Sequence, residues 1–178
     1  MQPLPRTRRI VTAIDASGRS YLAEDGHGPG EKTFPGTPFR SENIWRTTAT
    51  PAPVTAPDSI ADQNALLPPG HGTLLLVIDF PPVAPDPATR HAVAAAVFAA
   101  IYPDVVHDAA STRAAGMHTT DTVDYALVLA GEIVAVMEEG ETLMKAGDIL
   151  IQRGTAHAWE NRSTEMARIA FILIDGAR

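Results

Sequence analysis

Gly116-Met117-His118-Thr119-Thr120-Asp121-Thr122-Val123-Asp124, followed after glycine-marked turns by Gly154-Thr155-Ala156-His157-Ala158-Trp159-Glu160-Asn161, is the stretch on which the reading of this 178-residue chain turns. Strand side chains alternate faces with a period of two, so an unbroken strand puts residues 118, 120, 122 and 124 on one side. His157, Trp159 and Asn161 share parity in the same way. The stretch looks like a metal pocket inside a small β-barrel.

Working outward, short apolar stretches at residues 123–129, 133–137, 142–144, 149–151 and 166–174 alternate with turns at Gly131-Glu132, Glu139-Gly140 and Ala146-Gly147-Asp148. Strands this short and regularly spaced predict an antiparallel barrel or jelly roll, a mostly β fold. Upstream, Leu74-Leu75-Leu76-Val77-Ile78 is a continuous apolar run of strand length closed by Pro81-Pro82, and reads as a buried strand. Residues 88–101 are alanine-rich, with Val93, Val97 and Ile101 at helical spacing, and read as the one helix, bounded by Pro103. Residues 8–14 and 20–24 flank turn chemistry at Asp15–Arg19 and read as an N-terminal hairpin arm. Glycine and proline recur through residues 25–38, which are expected to be a loop. Residues 39–48 read as a strand, and residues 49–71 as irregular. The first 80 residues offer too few strands for a core of their own. A single domain over residues 1–178 is therefore expected, with residues 1–104 as arm, flanking strands and helix around a core at 105–175.

Composition narrows the function classes. Fourteen Lys and Arg against 21 Asp and Glu give a net charge of -7, which argues against a nucleic-acid partner, since phosphate binding needs a concentrated basic surface. Arg6, Arg8 and Arg9 read as a solvated arm. Without cysteine there is no disulfide framework, thiolate metal site or Cys nucleophile. No apolar run approaches the length of a membrane span, and the stretch after Arg9 is too short for a signal segment; a cytoplasmic location is expected, with no membrane partner.

Residues 116–161 resemble the cupin superfamily, which carries two sequence motifs on a small β-barrel. The first motif ends in an acidic residue, six intervening residues and a glycine, as Asp124 and Gly131 do; His118 takes the place of the first motif histidine, Thr120 that of the second, and Asp124 that of the usual glutamate. In the second motif Gly147-Asp148 opens a strand, and Gly154, His157 and Asn161 keep the family spacing, with Gln152 where a proline is usual. The variant pattern looks like that of small single-domain bacterial cupins. The fold implied is a double-stranded β-helix.

The resemblance implies that His118, Asp124 and His157 converge, a donor set suited to Fe, Mn, Ni or Zn with open positions for water or substrate. Histidines hydrogen-bonded in a metal-free pocket are the other reading. Thr120, Trp159, Gln152 and Arg153 are candidate substrate contacts, Trp159 by stacking and Arg153 through a carboxylate, and Asp124 is the candidate catalytic acid or base. The function expected is a metal-dependent enzyme on a small aromatic or carboxylated metabolite, with dioxygenase, decarboxylase and lyase or isomerase chemistry all open; a non-catalytic small-molecule-binding cupin is the alternative. A homodimer is expected by analogy and from the arm.

Overall fold

The structure is a computed structural model describing residues 2–178. β1 (Arg9–Ile14) and β2 (Ser20–Gly26) form the expected hairpin, a two-stranded sheet on its own. β3 (Gly30–Thr33), β4 (Arg40–Thr47) and β5 (Thr73–Phe80) follow, then α1 (Pro87–Ile101). Asp86 caps α1 by accepting from the Thr89 amide at 2.8 Å, with Pro87 opening the first turn, where its missing N–H costs nothing. The remaining strands are β6 (Val106–His107), β7 (His118–Thr119), β8 (Thr122–Ala130), β9 (Glu132–Met137), β10 (Glu141–Lys145), β11 (Ile149–Arg153), β12 (His157–Glu160) and β13 (Ala167–Asp175).

Two larger sheets face each other, one of five strands in the order β10-β9-β12-β7-β6 and one of six in the order β11-β8-β13-β5-β4-β3. Inward positions of both meet in one core: Leu74, Leu76, Ile169 and Phe171 from the six-stranded sheet, Ile133, Ala135 and Met144 from the five-stranded one. Each large side chain so buried stabilises by roughly 2 kcal/mol. The fold is thus the mostly β jelly-roll barrel expected, with β3, β4 and β5 widening one of its sheets. Gly131, at φ 69°, makes the turn between β8 and β9; a Cβ there would meet the Met166 carbonyl oxygen at 2.5 Å, so only glycine closes this hairpin without displacing backbone.

Two expectations are corrected. Residues 30–33, expected as loop, form β3, because Pro29 and Pro35 lie just outside the strand and the four residues between them pair with β4 at the sheet edge, where short strands are tolerated. More consequentially, residues 118–124 are not one strand. The chain leaves the five-stranded sheet after Thr119 and enters the six-stranded sheet at Thr122.

Candidate functional site

The sheet switch at Thr120-Asp121 decides the geometry of the site. His118 stays on the five-stranded sheet, where it is the register partner of both His157 and His107. Opposite residues of neighbouring strands share a face, so three imidazoles form a cross-strand row. The His118 and His157 rings lie 4.2 Å apart between centroids, tilted by 50°. Phe98 of α1 covers the row, stacked on His107 at 4.3 Å and tilted over His118 at 5.1 Å. Asp124 sits across the barrel on β8, opposite Gln152 and Leu173.

Each of the two central imidazoles is oriented by its own strand. His118 Nδ1 lies 2.9 Å from the Gly116 carbonyl oxygen and His157 Nδ1 lies 2.9 Å from that of Thr155. A carbonyl oxygen only accepts, so in both rings Nδ1 carries the proton and Nε2 offers a lone pair. Burial and the neighbouring His157 and His107 push His118 down to about 3, and burial also lowers His157. Both rings are therefore neutral at pH 7. His107 instead donates from Nε2 to the Ala115 carbonyl at 2.8 Å.

His118, His157, Thr120, Asp124 and Trp159 all line one cavity of about 370 Å³, within the size range of small-molecule sites. Its walls are otherwise mainly apolar, with Leu76, Ile78, Phe80, Val97 and Phe171 among them, and the pocket-facing side of α1 forms one wall. Trp159 packs its ring edge to face with His157 at 5.9 Å and with Phe171 at 5.3 Å. The Thr122 hydroxyl donates to Thr120 at 2.8 Å. Asp124 is buried, its Oδ1 has no hydrogen-bond partner among the described residues, and burial pushes its carboxyl up to about 6 against the opposing pull of the Thr122 hydroxyl.

Gln152 and Arg153 do not line the cavity. Gln152 is buried but its amide is committed to Thr155, donating to the carbonyl at 2.9 Å and to the hydroxyl. Arg153 follows it in an extended strand and is turned outward with Ile149 and Ile151, because successive side chains alternate faces. The guanidinium that does line the cavity is that of Arg90, whose Nε donates to the Ala84 carbonyl at 2.5 Å. Phe98, Arg90 and Glu160 are cavity residues that the sequence reading missed. Glu160 was accessible by parity only to the neighbouring face; Phe98 and Arg90 needed the helix placed on the barrel mouth. Asn161 ties its turn as expected, donating to the Phe80 and Glu165 carbonyls at 2.8 and 2.7 Å.

The resemblance implies a metal here, and the donor set allows a test of fit. Two Nε2 lone pairs and a carboxylate with an unpartnered oxygen are the right chemical types. However, among the described residues no three His, Asp or Glu side chains come close enough together to hold one ion. The pair His118 and His157 converges; Asp124, on the other sheet, does not join it. The three side chains as placed do not fit a three-donor centre. Among the described residues no helix is long and apolar enough to cross a membrane.

Comparison with known proteins places these features. A family model described as Cupin domain matches residues 105–174. The chain is 29% identical over 175 residues to "Phomopsin biosynthesis cluster protein D" of Diaporthe leptostromiformis, covering 94% of this chain and 77% of that one. It is 25% identical over 183 residues to "Cupin-domain-containing oxidoreductase srdD" of Neurospora crassa, covering 97% and 79%. Over 60 residues it is 48% identical to "Oryzines biosynthesis cluster protein J" of Aspergillus oryzae, 33% of this chain and 34% of that one. These relatives are fungal, whereas the sequence pattern had suggested bacterial cupins. Among solved structures, the Schizosaccharomyces pombe Cnp3 cupin domain aligns at a TM-score of 0.47 and 10% identity, covering 96% of this chain and 89% of that one.

Proposed function

We propose, from the premise that this chain belongs to the cupin superfamily through its residues 105–174, that it is an enzyme acting on a small, largely apolar, hydroxylated metabolite by proton transfer at Asp124. The observation that carries this reading is the character of the polar patch in the cavity. Two imidazole Nε2 atoms and the Asp124 carboxylate accept hydrogen bonds; against these three acceptors stand the O–H of Thr120, whose oxygen accepts from Thr122, and Arg90, which already donates to the Ala84 and Pro85 carbonyls. An acceptor-rich patch recognises a donor, so a phenolic or alcoholic hydroxyl suits it, and a substrate carboxylate against Asp124 does not. The apolar walls and Trp159 suit a planar body.

Asp124 supplies the proton chemistry. A carboxyl raised to about 6 is near the operating pH, where a general base is both ionised and basic enough to act. The neutral imidazoles of His118 and His157, fixed by their Nδ1–H bonds, accept the hydrogen bond of the hydroxyl and orient the substrate. Asp124 takes a proton from a carbon next to a carbonyl, leaving an enolate, and returns it to the isomeric carbon. Such a step belongs to the isomerase and lyase classes. The names of the fungal relatives, biosynthesis-cluster proteins and oxidoreductases, support an enzyme of small-molecule metabolism. A divalent ion is what the family implies, but no step here is derived through one, given the separation of Asp124 from the histidine pair.

The test is exchange at carbon in D2O with a panel of hydroxyaryl alkyl ketones, which carry a C–H next to the carbonyl, followed by mass spectrometry. Deuterium wash-in lost in Asp124→Asn is the expected result. Binding of the panel with no exchange under any condition would contradict an enzymatic role and leave a ligand-binding cupin.

A further inference from the structure

The side of α1 that faces the cavity is apolar except at one position. Residues three and four apart on a helix share a face, and the cavity-lining face of α1 runs from Arg90 through Val93, Ala94 and Val97 to Phe98. Arg90 is the single Lys or Arg among the residues that line the cavity. A cation at the end of an apolar stripe is costly to desolvate and is kept where it meets an acceptor.

The guanidinium is oriented but only partly used. Its Nε donates to the Ala84 carbonyl oxygen at 2.5 Å and its Nη2 to that of Pro85 at 3.2 Å, and Ala84 itself lines the cavity. A guanidinium carries five N–H groups in a planar fork, and these two bonds leave both Nη1 hydrogens without a partner among the described residues. The carboxylates around it are engaged elsewhere. Asp86, one turn back, accepts from the Thr89 amide and hydroxyl, and Glu160 on the cavity wall is paired with Arg162 at 2.8 Å. Held by two backbone carbonyls, the side chain loses little further freedom when it takes a ligand.

The cavity therefore has two polar ends. Phe98 lies over His118 at 5.1 Å, and eight residues of helix, about 12 Å, separate Arg90 from Phe98. Hydrogen-bond acceptors stand at the inner end, a cation stands at the outer end beside the exposed Pro85 and Asp86, and the wall between them is apolar.

We propose that Arg90 binds a carboxylate at the outer end of the ligand whose hydroxyl is held by His118 and His157. A carboxylate offers two acceptor oxygens that match the planar guanidinium. A dianion such as a phosphate monoester is disfavoured by the net charge of -7 and by Glu160 on the same wall. The proposal rests on the hydroxyl reading above and narrows the ligand class to an elongated planar hydroxy acid, since a single-ring hydroxybenzoate is too short to reach both ends. It also assigns to Arg90 the carboxylate contact expected of Arg153, which faces away from the cavity.

Calorimetric titration of the full chain at pH 7 with 6-hydroxy-2-naphthoic acid, its methyl ester and 2-naphthol tests this. The wild type is expected to bind the acid at least about tenfold tighter than the ester. Arg90→Gln, whose amide can still donate to the loop carbonyls, is expected to bind acid and ester alike while keeping wild-type affinity for 2-naphthol. Arg90→Leu is the second variant should that one not fold. An acid that binds the wild type no tighter than its ester, or a preference that survives in a folded variant, overturns the carboxylate subsite alone if 2-naphthol still binds. Failure of 2-naphthol to bind the wild type overturns the hydroxyl reading, and this proposal with it.

Discussion

The buried carboxylate of Asp124, whose Oδ1 has no hydrogen-bond partner among the described residues, is the group that the fold tolerates at a cost. Its pKa is raised from 3.8 to about 6, so between those values the native state binds more proton than the unfolded chain, and stability falls as pH rises through this window. At pH 7 the ionised group costs roughly 3 kcal/mol at the usual conversion per pKa unit. Asp124→Asn is therefore expected to melt higher than wild type at pH 7, by an amount that disappears near pH 4, while losing activity. His118 has the opposite sign: lowered from 6.5 to about 3, it contributes stability that is present above pH 6.5 and lost as pH falls toward 3. His118→Phe is expected to flatten that acid-side loss in thermal melts. At the same scale, the separation of Asp124 from the two histidines predicts weak metal retention. Elemental analysis after dialysis is expected to find substoichiometric metal, with little difference between wild type and His157→Ala; full occupancy lost in that variant would place the pair in a coordination sphere.

The elements show what the sequence carried and what it did not. The strands after Thr122 were legible because apolar alternation and positive-φ glycines at Gly131, Gly140 and Gly147 agree. Trp159 was placed in the cavity by parity with His157 alone. Parity failed at Thr120-Asp121, where even spacing from His118 to Asp124 continues through a change of sheet; spacing records faces along a strand, not which strand pairs with which. The row from His107 to His157 was hidden for the same reason, since β6 and β7 are two residues long and their register is set by their partners. Arg153 faces outward as alternation along β11 requires, because an inward Gln152 turns its neighbour to the other face. α1, rich in alanine, carries a short stripe of Val93, Val97 and Ile101 that marks its inner side, but nothing in it says that this side covers the barrel mouth. Its placement rests on Val97, Phe98 and Ile101 and on the Asp86 cap. Asp86→Ala is expected to cost about 1 kcal/mol, to speed amide exchange in α1, and to loosen the cavity wall that the helix provides.

At the scale of the whole molecule, the two sheets are joined by one core and locked on the outside by the chain's first residues. Asp79 is buried between Arg40 and Arg168, each 2.6 Å away, and the Pro5 carbonyl accepts from Arg168 at 2.6 Å. Glu42 accepts from the Thr7 amide at 2.9 Å and from Arg6 at 3.1 Å. A chain beginning at Arg8 keeps Glu42, Asp79, Arg40 and Arg168 but loses Arg6 together with the Pro5 and Thr7 partners and their cover, and is expected to be less stable by roughly 2–4 kcal/mol in denaturant titrations, within the range for broken buried charge networks. Within that frame the cavity draws its walls from both sheets and from α1, so its chemistry is a property of the assembled barrel. The most direct measurement of its character is the pair of dissociation constants for 1-naphthol and 1-methoxynaphthalene, read by quenching of tryptophan fluorescence. An acceptor-rich patch of His118, His157 and Asp124 predicts that the naphthol binds about tenfold tighter or more, with the preference lost in a folded His157→Ala or Asp124→Ala variant. Equal binding of the two compounds by the wild type would contradict the account.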